Sequence, residues 1–199
     1  MAFSTDGSKF ALGTSQTLEI CDANTGKAIS TIETISNDVA WSADGSMIAT
    51  CDGALAREVK IWDSVSLTLR HTLKVPNREN TSSSGIPGAG RLCFSPNSKL
   101  IAFGDGNGTT TIWDTSVGAE VHQLVSNYDG VNTVSFSADG ERIAVGGNDR
   151  LVRIWNLTTG RVIYTLRGHE GDIRGAAFAP DGRHLATLDG WECRIWEGE

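Results

Sequence analysis

The sequence lacks a long apolar run: none of its 199 residues falls in a stretch of 18 consecutive apolar residues. A membrane-spanning helix needs about 20 such residues, so we expect no membrane segment. The opening residues, MAFSTDGSKF, lack the basic and apolar regions of a signal peptide, and we therefore expect no secretion. Helical periodicity with capping residues is absent as well, which indicates little or no helix.

Positive charge is scarce. The 17 Lys and Arg residues are outnumbered by 24 Asp and Glu residues, which gives a net charge of -7, and the basic residues do not cluster. Proteins that bind nucleic acid use clustered basic side chains to contact the phosphates. We therefore expect no nucleic-acid binding.

Cysteine is also sparse, and Cys21, Cys51, Cys93 and Cys193 lie far apart without CxxC spacing. They could pair in more than one way, but single cysteines in predicted strands are typical of small buried residues in a reducing compartment. We expect four reduced, structural cysteines and a cytoplasmic location, with the nucleus as an alternative.

What the sequence does contain is a repeat with two anchors. The first anchor appears as FSTDGSKFALG from residue 3, WSADGSMIATC from 41, FSPNSKLIAFG from 94, FSADGERIAVG from 136 and FAPDGRHLATL from 178. The second anchor follows as LEICD ending at 22, VKIWD at 63, TTIWD at 114, VRIWN at 156 and CRIWE at 197. Successive second anchors are 41, 51, 42 and 41 residues apart, and the long step contains one insertion. Such a fixed period indicates a repeat architecture.

Each repeat unit predicts four short antiparallel strands. In the fourth unit these are VNTVSFS (131–137), RIAVGG (142–147), LVRIWN (151–156) and RVIYTLR (161–167). The segments are rich in β-branched and aromatic residues and are separated by Asp-Gly, Asn-Asp and Thr-Gly pairs. Such pairs adopt positive φ at little cost, so the chain can reverse within a few residues.

A four-stranded unit of this period with Trp at the end of its third strand resembles the WD-repeat (WD40) family, whose units are the blades of a β-propeller. The resemblance is carried by Trp62-Asp63, Trp113-Asp114, Trp155-Asn156, Trp196-Glu197 and Gly168-His169. It implies an all-β propeller of four-stranded antiparallel blades with five repeats visible. An incomplete arc of a larger, seven-bladed propeller and a closed ring of five blades remain alternatives.

We predict a single WD-repeat domain over residues 1–199. Its units cover approximately residues 1–34, 35–74, 90–126, 130–167 and 168–199, with a loop insertion at 74–89. The insertion is rich in Pro, Gly, Ser and Asn, which is typical of a mobile surface loop. We interpret it as a tolerated insertion, with contact to a partner as the alternative.

Several residues are predicted to be structural. A lone blade cannot bury both of its faces, so blades must stack. Because each buried aromatic side chain removes roughly 150–250 Å² from water, we expect the four repeat tryptophans in the core, with Cys21 at the equivalent place in the first unit. The resemblance implies a hydrogen-bonded network in the last unit and structural aspartates in the others. The residues concerned are Trp62, Asp63, Trp113, Asp114, Asp149, Trp155, His169, Thr187, Asp189 and Trp196.

The resemblance also implies partner contacts near the start of the first strand of each blade. The matching positions are Asn37, Gly90 with its neighbour Arg91, Asn132 and Arg174, with Asn148 beside a turn. Arg174 is the strongest candidate, because Arg is enriched among binding hot spots; ordinary solvated loop residues are the alternative. Trp191 shares its strand parity with Cys193 and Ile195, so we predict that it packs in the core rather than serving as an exposed anchor.

Patterns for catalysis are missing. The four histidines show no metal-ligand spacing, GDGNG and GIPGAG lack the Lys-Ser/Thr of a phosphate-binding loop, and G-x-S-x-G does not occur. We therefore predict no enzyme activity, no cofactor and no metal.

The predicted function is a non-enzymatic scaffold for protein or peptide partners. One alternative is a sensor or scaffold segment of a larger multidomain regulatory protein. Another, of a different class, is a propeller hydrolase or peptidase cap, which would share only the first turn of each unit. Further blades, or a second chain that completes the ring, are additional candidate partners.

Overall fold

The computed structural model describes residues 1–52, 58–76, 92–125 and 130–198. The regular secondary structure in these ranges consists entirely of β-strands. The strands are β1 (Ala2–Phe3), β2 (Lys9–Gly13), β3 (Thr17–Asp22), β4 (Ala28–Glu33), β5 (Asp38–Trp41), β6 (Met47–Cys51), β7 (Glu58–Asp63), β8 (Leu69–Lys74), β9 (Leu92–Phe94), β10 (Leu100–Gly104), β11 (Thr109–Asp114), β12 (Glu120–Val125), β13 (Val131–Phe136), β14 (Arg142–Gly147), β15 (Val152–Asn156), β16 (Arg161–Leu166), β17 (Gly175–Phe178), β18 (His184–Leu188) and β19 (Cys193–Glu197). None of the described residues forms a helix able to cross a membrane.

The strands form five antiparallel sheets, which we call blades 1 to 5. Blades 1 to 4 contain β1–β4, β5–β8, β9–β12 and β13–β16, and blade 5 contains the three strands β17–β19. Strands that follow each other along the chain are hydrogen-bonded neighbours within each blade. The prediction of an all-β fold built from repeated antiparallel blades is confirmed.

The first turn of each blade is held by a short polar side chain. In blade 2, Ser42 donates to Asp44 over 2.6 Å, and Asp44 accepts the backbone N–H of Ser46 over 2.9 Å. Gly45 follows with a φ of 76°, which glycine adopts without strain. Blade 3 has Ser98 at a φ of 59° in the same place, and its hydroxyl accepts the backbone N–H of Asp44 over 3.0 Å. That bond ties blade 3 to blade 2.

A β-bulge lies between the third and fourth strands of blades 1 to 4. The register shifts at Ile20/Cys21, Ile61/Trp62, Ile112/Trp113 and Ile154/Trp155, which is the second anchor of each repeat. A bulge increases the local twist of a sheet. The second anchor therefore places a buried side chain and a local increase in twist at the same position in blades 1 to 4.

The core lies between blades rather than within them. We call the face of a blade toward the preceding blade its front face and the opposite face its back face. The back face of blade 2 contributes Val59 and Ile61 to a cluster with Phe94 and Phe103 from the front face of blade 3. Similar clusters join blades 1 and 2, 3 and 4, and 4 and 5. The stacking expected from the repeat is therefore how this chain buries its apolar side chains.

Glycine permits close approach at three of these interfaces. A Cβ on Gly13, Gly104 or Gly146 would lie 1.9 Å from Ser36 O, 2.2 Å from Val131 Cγ1 or 2.5 Å from Ile173 Cγ2. Each contacted residue lies five positions before the aromatic residue of the next first anchor. Blade 5 carries Leu188 at the place of these glycines, so its back face has a different shape.

The blades form an arc with two exposed end faces. The main contacts between blades join each blade to the next one along the chain. On the front face of blade 1, Phe3 is 58% exposed, and on the back face of blade 5, Ile195 is 64% exposed. The arrangement corresponds to the predicted incomplete arc of a propeller and not to a closed ring of five blades.

Candidate partner-binding surface

Four of the predicted partner-contacting residues lie at one end of the blades, which we call the loop end: Asn37, Asn132, Asn148 and Arg174. Among the described residues, it holds the starts of first strands and the turns that follow second strands. Asn37 Nδ2 donates to Asp52 Oδ1 over 3.0 Å, and Asn132 Nδ2 donates to Asn148 Oδ1 over 2.6 Å. Each bond joins the start of a first strand to the turn after the second strand. The structure thus brings these candidates to equivalent places on blades 2 and 4.

The candidates differ in exposure. Asn37 is exposed and Asn148 is half-buried, whereas Asn132 is only 4% exposed. Asn132 therefore holds the Asn148 turn and offers little surface to a partner. Gly90 and Arg91 lie outside the described residues, as do positions 77–89 of the insertion.

Arg174 lies next to the turn that contains Trp191, at the loop end of blade 5. The backbone N–H of Arg174 donates to Leu188 O over 2.8 Å, which fixes the start of β17. A Cβ on Gly190 would lie 3.8 Å from Arg174 Cζ, so the guanidinium group lies over Gly190, directly before Trp191. Both side chains are exposed, and Trp191 is 90% exposed.

The prediction that Trp191 packs in the core is wrong. Side chains alternate between the two faces of a sheet only within a strand. Because β19 begins at Cys193, this alternation does not extend back to Trp191. Trp191 instead lies in a tight turn in which Asp189 Oδ1 accepts the backbone N–H groups of Trp191 and Glu192 over 2.7 and 2.9 Å. Even the parity-matched Cys193 and Ile195 are exposed, because they lie on the uncovered back face of blade 5.

The cysteines are unpaired, but not all of them are buried. Cys21 and Cys51 are buried and Cys93 is half-buried, and burial raises the pKa of the Cys21 and Cys93 thiols. Cys193 is exposed on the back face of blade 5. The expectation of four buried cysteines is therefore wrong for Cys193, since no described residue covers that face.

Blade 5 contains a network of four side chains. His169 Nε2 and Trp196 Nε1 each lie 2.7 Å from Thr187 Oγ1, and His169 Nδ1 lies 3.1 Å from Asp189 Oδ2. The side chains of His169 and Asp189 are almost completely buried. Bonds from the backbone N–H groups of Glu192 and Trp191 hold the pKa of Asp189 well below its usual range. The network ties the loop before β17 to β18 and β19.

The same corner also resembles a metal site. Ligand atoms of His169, Asp189 and Glu192 lie within 4.8 Å of one another. However, Asp189 already accepts three backbone N–H groups, and Glu192 Oε1 pairs with Arg194 Nε. A cation would compete with these bonds, so we assign a structural role to the three residues.

The remaining residues predicted to be structural lie in turns or in the apolar core. Trp62, Trp113 and Trp155 are 8%, 2% and 8% exposed, whereas Trp196 is partly buried. Asp63 Oδ1 accepts the backbone N–H of Ser66 over 2.8 Å, and Asp114 Oδ1 accepts that of Ser116 over 2.8 Å. Asp149 accepts the N–H of Leu151 and pairs with Arg153.

Comparison with known families agrees with this architecture. The family described as "WD domain, G-beta repeat" matches residues 26–63, 87–114, 118–156 and 160–197. The chain belongs to the WD40 family. WD40 repeats typically mediate protein–protein interactions and are typically non-enzymatic.

The WD40 sequence repeat is out of phase with the blades. The match at 118–156 contains β12, the last strand of blade 3, and then β13 to β15 of blade 4. The matches at 26–63 and 160–197 likewise contain β4 to β7 and β16 to β19, so these three sequence repeats each span two blades and cross one of the buried interfaces between them. This overlap makes neighbouring blades depend on each other for stability.

The chain is also similar to a curated WD-repeat protein. It is 28% identical over 115 residues to "WD repeat-containing protein VIP3" from Arabidopsis thaliana. The similarity covers 54% of this chain and 35% of VIP3, so the chain spans about a third of the length of that relative.

Proposed function

We propose that this WD40 chain is a non-enzymatic platform that binds a protein or peptide partner at the loop end of blade 5. The exposed Arg174 guanidinium beside Gly190, one residue before the exposed Trp191, carries this proposal. Arg and Trp are the residue types most enriched among binding hot spots. An exposed guanidinium group and an exposed indole ring on neighbouring segments suit a peptide that presents a carboxylate close to an apolar side chain.

Rigid display of both side chains supports the same function. The Arg174 backbone is bonded to Leu188, and the Trp191 turn is held by the buried carboxylate of Asp189. Binding to a preorganised surface loses little conformational entropy. Hydrogen bonds that join Thr187 to His169 and Trp196 hold together the segments next to this turn.

The first test is peptide selection followed by calorimetry. Peptides selected from a displayed library against the chain should bind Arg174→Ala and Trp191→Ala at least about tenfold more weakly, a loss of about 1.4 kcal/mol each. Arg161→Ala, at an exposed position of β16, and Val65→Ala, in the β7–β8 turn, are matched controls and should bind normally. Selected peptides that bind all four variants equally would contradict the proposed site.

The proposal includes a cytoplasmic or nuclear location. It is supported by the four free cysteines, including exposed Cys193, because such thiols persist in a reducing compartment. A fluorescent fusion of the chain that accumulates in a secretory organelle would contradict it.

A further inference from the structure

A polar pocket lies between the first turns of blades 1 and 2, at the end of the blades opposite the loop end. Thr5 Oγ1 donates to Ala43 O over 3.1 Å, so the pocket is formed by two blades in contact and not by an end face of the arc. Its volume is about 260 Å³. Pockets for drug-sized ligands measure about 300–1,000 Å³, so this one suits a single side chain. The residues that line it include Asp6, Lys9, Trp41, Asp44, Gly45 and Ser64.

Both carboxyl groups of the pocket are ionised at neutral pH. Hydrogen bonds from the hydroxyl of Ser4 and the backbone N–H of Ser8 lower the pKa of Asp6 to about 2. Burial acts against the ionised form of Asp44, but bonds such as that from the Ser42 hydroxyl lower its pKa overall. The pocket therefore carries two negative charges close to the surface.

Each carboxylate has an oxygen that can accept a further hydrogen bond. Asp6 Oδ2 accepts the hydroxyl of Ser8 over 2.9 Å, and Asp44 Oδ2 accepts that of Ser46 over 3.0 Å. Each hydroxyl is shared with the Oδ1 atom of the same carboxylate, 2.9 Å away. A carboxylate offers about four acceptor sites, so both Oδ2 atoms have capacity for a charged donor.

The same place between blades 4 and 5 holds an arginine side chain of the chain itself. Arg142 Cζ lies 5.7 Å from the ring centroid of Phe178, within the range of a cation–π contact. Arg142 Nη2 donates to Gly182 O over 3.0 Å and lies 3.4 Å from Asp139 Oδ2. The space between two first turns of this protein therefore accommodates a guanidinium group.

In blades 1 and 2 the arginine is replaced by Lys9 and the phenylalanine by Trp41. Lys9 is exposed to solvent, and the pocket is lined by the counterparts of the residues that the arginine contacts in blades 4 and 5. Trp41 is half-buried against the apolar cluster of blades 1 and 2, and indole is the best of the aromatic rings for binding a cation. Gly45 O already accepts Trp41 Nε1 and Ser64 Oγ over 3.2 and 2.6 Å, so the two carboxylates are the acceptors for a cation here.

We propose that the pocket between blades 1 and 2 binds an arginine side chain of a partner peptide. The guanidinium group lies against the indole of Trp41 and pairs with Asp6 and Asp44, which its planar fork of donors suits. A peptide is favoured over free arginine, because the carboxylate of the free amino acid would be held near two like charges. The net charge of -7 also favours the approach of a basic partner.

An NMR titration with the peptide acetyl-Gly-Gly-Arg-Gly-Gly-amide tests this site. The indole N–H resonance of Trp41 should shift and reach saturation. Trp41→Phe assigns this resonance, since the other blades have phenylalanine at the same position. The same peptide with citrulline in place of arginine should bind at least about tenfold more weakly, because citrulline is uncharged.

A double variant tests the two carboxylates. Asp6→Asn with Asp44→Asn should weaken binding of the arginine peptide at least about tenfold, because each substitution removes a charged acceptor. The turns should remain formed, because blade 3 has Asn97 in the same place. Its side-chain oxygen accepts the Ser95 hydroxyl over 2.7 Å and the backbone N–H of Lys99 over 3.0 Å.

Two further variants complete the experiment. Asp139→Asn with Asp181→Asn makes the same change of charge in the first turns of blades 4 and 5, and this matched control should bind the peptide normally. Lys9→Ala should bind it more tightly, because it removes a positive charge from the edge of the pocket. Circular dichroism melts establish that each variant is folded.

Four results would overturn the proposal. A Trp41 resonance that does not shift would exclude the pocket, and one that shifts only in Lys9→Ala would mean that Lys9 occupies it. Equal binding of the citrulline peptide would exclude recognition of charge. Binding that survives the double variant would place the site elsewhere, and free arginine binding as tightly as the peptide would make the amino acid the ligand.

This test is independent of the peptide site proposed at blade 5. The probe carries neither a carboxylate nor an apolar side chain, which are the groups expected to bind at Arg174 and Trp191. The two proposals can therefore fail separately.

Discussion

At the scale of single residues, the repeat tryptophans differ in how their indole N–H is satisfied. Trp62 Nε1 donates to Thr50 Oγ1 over 3.0 Å, and Trp196 Nε1 donates to Thr187 over 2.7 Å. Blade 4 has Val145 at the place of these threonines, and Trp155 Nε1 is buried without a hydrogen-bond partner. A buried donor without an acceptor costs about 1–3 kcal/mol, so blade 4 carries a local defect.

Val145→Thr should repair this defect, because it places a hydroxyl where Thr50 and Thr187 have theirs. We expect the free energy of unfolding to rise by about 1 kcal/mol, measured by urea denaturation. Val134→Thr is the control: Val134 is also buried in blade 4, but it lies on β13, whereas the threonines that accept from Trp62 and Trp196 lie on the second strand of their blades. If both substitutions destabilise the chain equally, the Trp155 indole does not reach residue 145.

At the scale of structural elements, the first turns depend on ionised carboxylates. The hydroxyl of Ser4 and the backbone N–H of Ser8 lower the pKa of Asp6 to about 2. The side chain of His184 and the backbone N–H of Arg183 lower the pKa of Asp181 to about 2. A carboxyl group with a lowered pKa stabilises the fold above its unfolded pKa of about 3.9. That stabilisation is lost as the pH falls through the folded value.

The chain should therefore lose stability between about pH 4 and pH 2, and urea melts across this range measure the slope. Replacing both aspartates, as Asp6→Asn with Asp181→Asn, should make the slope shallower because the amides do not titrate. Ser8 and Arg183 can still donate to the amide oxygen, so the turns remain formed. An unchanged slope would assign the acid sensitivity to other carboxylates, such as Asp189.

At the scale of the whole molecule, stability comes from the stacking of blades. Blade 5 docks on blade 4 through apolar contacts and through backbone N–H groups of Ala176 and Phe178, which donate to Thr133 and Ser135 over 3.1 and 3.3 Å. In such an array, each unit is stabilised mainly by its neighbours. Disturbing one interface should therefore release the blades beyond it.

Gly146→Leu should separate blade 5 from blade 4, because even its Cβ would lie 2.5 Å from Ile173 Cγ2. We expect a loss of about 1–3 kcal/mol and faster hydrogen exchange in β17 to β19 than in β1 to β12. Gly175→Leu is the control, since it adds the same side chain to the uncovered face, where a Cβ meets only Leu188 at 3.7 Å. Equal losses of stability from the two substitutions would mean that the Gly146 interface accommodates a leucine as easily as the uncovered face does.

The sequence by itself determined the strands, the turns and the repeat of this protein. These features depend on neighbours along the chain, such as Asp44 beside Gly45 or Trp155 at the end of its strand, and local chemistry recurs with the period. The loop-end positions of Asn37, Asn148 and Arg174 also follow from the order of the strands.

Only the tertiary structure decided which side chains are covered. Trp191, Cys193 and Ile195 have the same apolar character as core residues, and their exposure depends on whether another blade lies against blade 5. The need for glycine at position 146 likewise arises from Ile173, which is distant in sequence. Burial is set by contacts between blades, and a local pattern does not encode whether such a contact is present.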